Sequence, residues 1–127
     1  MLDKLFADST SETLAKGLDA VGIRHRVIAD NIANVETPGF TRSDVVFEER
    51  LREALRSRGE DASERVQNVT PEVRADRTSP ARADGNNVSI DKEMAAMVKN
   101  TLEYEALTQL INLKGSMLRA AITEGRR

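Results

Sequence analysis

From Ser9 to Val35 the large apolar side chains fall at Leu14, Leu18, Val21, Ile28, Ile32 and Val35, in steps of four and three, with His25 in the one polar slot. That rhythm is the seam of a coiled coil, and it predicts a single long helix. Ser9, Thr10 or Ser11 supplies a capping hydroxyl, and Glu12 stands three residues after Ser9 as in a capping box. Gly17 and Gly22 each cost about 1 kcal/mol relative to alanine in a helix. Their presence points to close approach of another element, or to a helix stable only once packed. A lone imidazole at His25 reads as a packed edge residue rather than a pH switch.

The helix must end in Asp30-Asn31-Ile32-Ala33-Asn34-Val35-Glu36-Thr37-Pro38-Gly39-Phe40. Thr37 precedes a proline and is pushed out of the helical region, Pro38 cannot continue the ladder, and Gly39 tolerates positive φ. Pro38-Gly39 fits the centre of a type II turn. Asn31 and Asn34 share a helix face, and their amides both donate and accept. They are placed to fasten the helix end to the returning chain or to a neighbouring molecule.

After the corner, Thr41–Phe47 reads as extended. A short helix over 47–58 carries one narrow stripe, Phe47, Leu51 and Leu55. From Arg52 to Gly85 the chain is polar and balanced in charge, with Pro71 and Pro80, and 59–83 is expected to be a long exposed loop with one extended piece near Val69 to Arg74. Asp84-Gly85-Asn86-Asn87-Val88-Ser89 is a second turn cluster, with Ser89 as the N-cap of a second long helix. Asp91 and Glu93 suit its first turn, where the dipole favours negative charge. Its apolar stripe is broad: Met94, Met97, Val98, Leu102, Tyr104, Leu107, Leu110, Ile111, Leu113, Met117, Leu118 and Ile122. A stripe that wide contacts more than one neighbouring helix. Gly125 is its expected stop. Ahead of Ser9, Leu2, Leu5 and Phe6 form a short turn or frayed arm that wants a partner surface.

The expected fold is therefore mainly α. The N-terminal helix (1–36) and C-terminal helix (90–127) pair as a coiled coil, with the corner, short helix and polar loop (37–89) between them in one structural unit. Pairing would leave apolar surface over, which self-assembly or a partner should cover.

Composition narrows the function more than the fold. Of 127 residues 31% are charged, yet the net charge is −2, which argues against nucleic-acid binding through bulk positive charge. Cysteine is absent, so disulfides and thiolate metal sites are excluded. No apolar run approaches the ~20 residues of a membrane span, and the first residues lack the apolar core of a cleavable signal. The glycines are scattered and no nucleophile elbow or His-Glu-x-x-His occurs, so neither enzyme chemistry nor a cofactor is expected. Asp30 beside Asn31 and Asn34 lacks most of the oxygen ligands a hard cation needs.

The corner, Asn31 to Phe40, resembles the N-terminal signature of the bacterial flagellar axial proteins, the rod, hook and hook-associated proteins. That family usually has a second Asn where Glu36 stands here, and often Tyr in place of Phe40. Asp84 to Ala95, Asn100, Tyr104, Ala106-Leu107 and Leu118 to Ile122 are similar to the rod members. The resemblance implies a non-enzymatic subunit of the proximal rod of the basal body, part of the shaft that carries torque across the periplasm. It implies export through the flagellar type III apparatus without a cleaved signal. Implied partners are other rod proteins and copies of the chain itself, the adaptor at the rod base, the membrane ring and the export gate. A helical export chaperone or adaptor is the other reading; it predicts an ordered free dimer.

Overall fold

The computed structural model describes residues 9–56 and 62–125. The arm with Leu2, Leu5 and Phe6, the end of the short helix beyond Arg56, and Arg126-Arg127 lie outside the described residues. Six elements follow in order: α1 (Ser9–Ala33), β1 (Ser43–Val46), α2 (Glu48–Arg56), α3 (Ala62–Gln67), β2 (Glu72–Ala75) and α4 (Ile90–Glu124). The chain is mainly helical, with two long helices near its ends, as the periodicity predicts.

α1 and α4 run antiparallel. Gly17 meets Leu107, the Asn100 amide reaches the Val21 carbonyl, and Asn31 reaches Glu93. A Cβ on Gly17 would come within 3.3 Å of the Leu107 side chain, so close approach is the reason for that glycine. Gly22 has no such reason within the chain, because nothing lies within 4 Å of the place its Cβ would take.

The seam is only one of two buried faces on α1. Val21 and Ile28 are buried and belong to the predicted seam, whereas Leu14, Leu18, Ile32 and Val35 are half-buried and His25 is exposed. Ala20 and Val27 lie on the other face. They form the small core with Val45, Phe47 and Val69, and Ile23, Leu51 and Ala54 pack against it. α1 thus has α4 against one face and a small layer of α2, α3 and the paired strands β1 and β2 against the other.

Within that layer the structure departs from the long exposed loop expected over 59–83. Its described part holds a helix, α3, and a strand, β2, and it buries Val66 and Val69. β1 and β2 pair antiparallel, with Val45 opposite Val73 and Ser43 opposite Ala75. A few valines set at the right points suffice here, because the layer rests on α1 and need not build a core of its own. Glu12, expected in a capping box, reaches α3: its carboxylate accepts from Ser63 Oγ at 2.6 Å and from Gln67 Nε2. Across the layer, Arg24 pairs with Glu48 at 2.5 Å and with Glu103 of α4 at 3.3 Å. Burial raises the Glu48 carboxyl, but the Arg24 guanidinium, a hydrogen bond from its own backbone N–H and the Lys99 charge together hold it below its ordinary value.

Candidate assembly site

Two turns meet where α1 ends and α4 begins. The Phe40 N–H donates to the Thr37 carbonyl at 3.3 Å, and Gly39 takes φ +73°. Gly85 takes φ +83°, and its Cβ position would lie 3.4 Å from Gly39 Cα. The Gly39 N–H donates to the Asp84 carbonyl at 2.8 Å, tying one turn to the other. Both positions need positive φ, which only glycine adopts without strain.

Three asparagines do most of the fastening. Asn31 is buried, and its amide forms a two-way bridge to the Ser43 backbone: Nδ2 donates to the carbonyl at 2.9 Å and Oδ1 accepts from N–H at 3.0 Å. It thus stands in for a neighbouring strand along the edge of β1. Asn86 is fully buried, and its Nδ2 donates to the carbonyls of Asn34 (2.8 Å), Val35 (3.1 Å) and Thr37 (2.8 Å). Its Oδ1 takes the Val88 N–H at 2.7 Å. A side chain from far along the sequence therefore ties down the turn that follows α1. Asn87 accepts from the Arg42 N–H at 2.7 Å and donates to the Asp76 carbonyl at 2.7 Å. Arg82 adds Nη1 to the Val88 carbonyl at 3.0 Å and Nη2 to the Val35 carbonyl. Asn34 acts only locally, donating to Asp30 O at 2.8 Å and accepting from Thr37 Oγ1 at 3.2 Å.

Beneath the turns sits a buried carboxylate. Glu93 is 1% exposed; Oε1 accepts from Arg42 Nε at 2.6 Å and Oε2 from Asn31 Nδ2 at 3.2 Å. Burying a charge is costly unless it is paired and hydrogen-bonded, and here it is both. Arg42 Nη1 continues to Asp76 at 2.7 Å. The Ser79 and Thr78 hydroxyls, the Thr78 N–H and Arg42 together hold the Asp76 carboxyl far below the usual range. Glu93 was expected to serve the dipole of the first turn; instead it is the floor of this network. Ser89 does occupy the N-cap position with extended backbone, but its side chain makes no cap bond. The carbonyl of Ser89 accepts the Glu93 N–H at 2.9 Å.

The predicted residues divide into three groups. Val21, Ile28 and Asn31 are buried inside the chain; Leu14, Leu18, Ile32, Asn34, Val35, Phe40, Met97, Leu107, Ile111 and Leu118 are half-buried. Pro38 and Gly39 are exposed at the corner. Met94, Leu102, Tyr104, Leu110, Met117 and Ile122 are exposed on α4, joined by Val98 and Leu113. α4 thus carries two apolar stripes. Met97, Leu107, Ile111 and Leu118 run along the side that faces α1, and Val98, Leu102, Leu113 and Met117 run along the opposite side, 54–64% exposed. Between the helices, buried Asn100 donates Nδ2 to the Val21 carbonyl at 3.0 Å.

Sequence reasoning missed Arg42, Asp76, Asn86, Glu93 and Asn100 as site residues. The Asn86-Asn87 pair inside a turn cluster was the one local signal. Nothing local marks Glu93 as buried, since its partners are 51 and 62 positions away. Among the described residues no cluster of His, Cys, Asp or Glu is arranged to hold a metal ion, and no helix is long and apolar enough to cross a membrane.

A chain with a rigid polar corner and an uncovered helix face offers shape, and its relatives agree. The family model described as "Flagella basal body rod protein" matches residues 12–41, the second half of which is the corner. The chain is 38% identical over 108 residues to the flagellar basal body rod protein FlgB of Borrelia hermsii, covering 73% of this chain and 80% of that protein. It is 31% identical over 125 residues to FlgB of Bacillus subtilis, covering 92% and 95%. Against FlgB of Escherichia coli K12 the identity is 31% over 134 residues, again covering 92% and 95%. With its corner inside the matched segment and its relatives covered nearly end to end, the chain belongs to the flagellar basal body rod protein family.

Proposed function

We propose that the chain is a structural subunit of the proximal rod of the bacterial flagellar basal body. Rod proteins of this family are building blocks, not enzymes. The observation that carries the reading is the exposed stripe on α4 set against a locked corner. Polar groups hold the end of α1, the start of α4 and the strand pair in one orientation, while Val98, Leu102, Leu113 and Met117 remain uncovered. A stripe of that kind on a rigid frame is what a subunit needs in order to pack against its neighbours.

In this reading α1 and α4 act together as a coiled coil, and the Pro38-Gly39 turn sets the direction in which the small layer leaves it. Copies of the chain and other rod proteins pack around the outer face of α4. The adaptor at the rod base, the membrane ring and the export gate are the neighbours below, and the shaft stands in the periplasm. Delivery is through the flagellar export apparatus without a cleaved signal.

Leu110→Asp tests this directly, because Leu110 is 50% exposed and its replacement leaves the chain's own core untouched. The variant is expected to keep the helical content of the parent, to be exported, and to abolish swimming through failed rod assembly. A normally swimming strain carrying Leu110→Asp overturns the proposal.

A further inference from the structure

The two edges of the strand pair differ in what covers them. The Asp76 N–H donates to the Arg42 carbonyl at 2.9 Å, and the register sets Arg74 against Asp44 and Glu72 against Val46. Bonded and unbonded pairs alternate along an antiparallel ladder, so Ser43 and Val45 of β1, and Val73 and Ala75 of β2, turn their backbone groups outward. On β1 side chains close those groups. Asn31 takes both groups of Ser43, Asp44 Oδ1 accepts the Val45 N–H at 2.8 Å, and Arg24 Nη2 donates to the Val45 carbonyl at 3.4 Å. On β2 the N–H and carbonyl of Val73 and Ala75 have no partner among the described residues, and both residues are exposed.

Beside that open edge lies a recess of 440 Å³ whose lining includes Val27, Asp30, Asn31, Phe40 and Val73. Val73 stands opposite Val45, so its side chain shares the α1-facing side of the strand pair. A strand added at Val73 sets every second side chain over the same recess. The one charged residue of its lining, Asp30, is exposed and has no cationic partner among the described residues. It sits in the last turn of α1, where the helix dipole disfavours a carboxylate and no basic residue answers it.

We propose that the open edge of β2 takes an extended segment of another basal-body protein. The segment adds a strand at Val73 and Ala75 and lays a lysine or arginine side chain across Val27 and Phe40 to Asp30. The inference rests on the rod reading above. Backbone pairing supplies the hold, and the cation selects the segment. A second copy of the chain is the poorer occupant. Among the described residues it has only β2 to offer as a strand with an open edge, and that contact uses the same edge twice, closes on two copies and does not continue along a shaft.

Hydrogen exchange tests the pairing on the unaltered chain. In purified basal bodies the Val73 and Ala75 amides are expected to exchange at least about tenfold more slowly than in the free chain, whereas the Arg74 amide, which faces β1, is slow in both. Free-chain rates at Val73 and Ala75 in the basal body overturn the proposal. Val73→Pro removes one outward N–H and spares the ladder. Asp30→Lys reverses the charge at the recess and suits the end of the helix. Both are expected to keep the melting temperature of the parent and to abolish swimming, while Val73→Ala swims as the parent does. Normal swimming of either variant, or an equal loss in Val73→Ala, overturns the proposal. The chain has no cysteine, so a band at twice subunit size from oxidised Val73→Cys basal bodies places a second copy at the edge and overturns it too. A chain missing from purified basal bodies removes the rod reading itself, and the inference with it.

Discussion

Arg42 Nε lies 2.6 Å from Glu93 Oε1, and Glu93 is 1% exposed. The pair joins the chain leaving the corner to the first turn of α4. Removing one partner of a buried pair leaves the other charge uncompensated, a loss of about 3–5 kcal/mol. Arg42→Ala is expected to lower stability by that amount in urea unfolding followed by circular dichroism, and Glu93→Ala by less, because Arg42 keeps Asp76 at 2.7 Å. The double variant should cost clearly less than the two losses added together, since the two residues act on one interaction.

Asn86 serves three carbonyls at the end of α1 through a single amide nitrogen. Asn86→Ala removes the donor that the three carbonyls share and leaves the buried Val88 N–H without its acceptor, with an expected loss of about 2 kcal/mol. Asn86→Asp is expected to be worse, because a carboxylate has no donor and turns its oxygens toward carbonyl oxygens. Equal stability of the two variants in urea unfolding would mean that the amide contributes by size alone.

Asp76 predicts a pH signature. Its folded-state pKa lies below the unfolded value, so its contribution to stability is complete above the ordinary Asp value of about 3.9 and is lost as the pH falls below it. Asp76→Asn is expected to cost about 2 kcal/mol at pH 7, the worth of its hydrogen bonds as a charged acceptor. The gap between variant and parent should hold from pH 6 to about pH 4.5 and narrow only below about pH 4, as urea curves are carried down to about pH 2. A gap that stays constant over that range assigns the loss to shape.

Three glycines should answer alanine in different ways. Gly39 and Gly85 sit at φ +73° and +83°, where an L side chain costs about 1–2 kcal/mol, so both alanine variants lose that much. Gly22 lies in α1 with open space at its Cβ position, so Gly22→Ala is expected to stabilise the isolated chain by about 0.5–1 kcal/mol. Thermal unfolding of the three variants reads the difference in sign.

The sequence by itself determined the parts that local chemistry controls. Apolar spacing marked both long helices; the first ends at Ala33, ahead of Pro38-Gly39. Asn31 was legible as a fastener because an amide near a helix end has few other uses. The strand at Val45 and Val46 and the short helix after Phe47 followed from the same local signals. Tertiary structure decided what depends on distant neighbours. Ala20 and Val27 look like ordinary helix residues until α2, β1 and Val69 pack on them. Val66 and Val69 are too sparse to announce burial, yet α1 gives them a surface to rest on. Glu93 reads as a solvated first-turn acid because its partners, Asn31 and Arg42, come from the other end of the chain. Periodicity reports which side of an element is apolar; only the fold decides what lies against that side, and whether a charge meets water or its counter-ion.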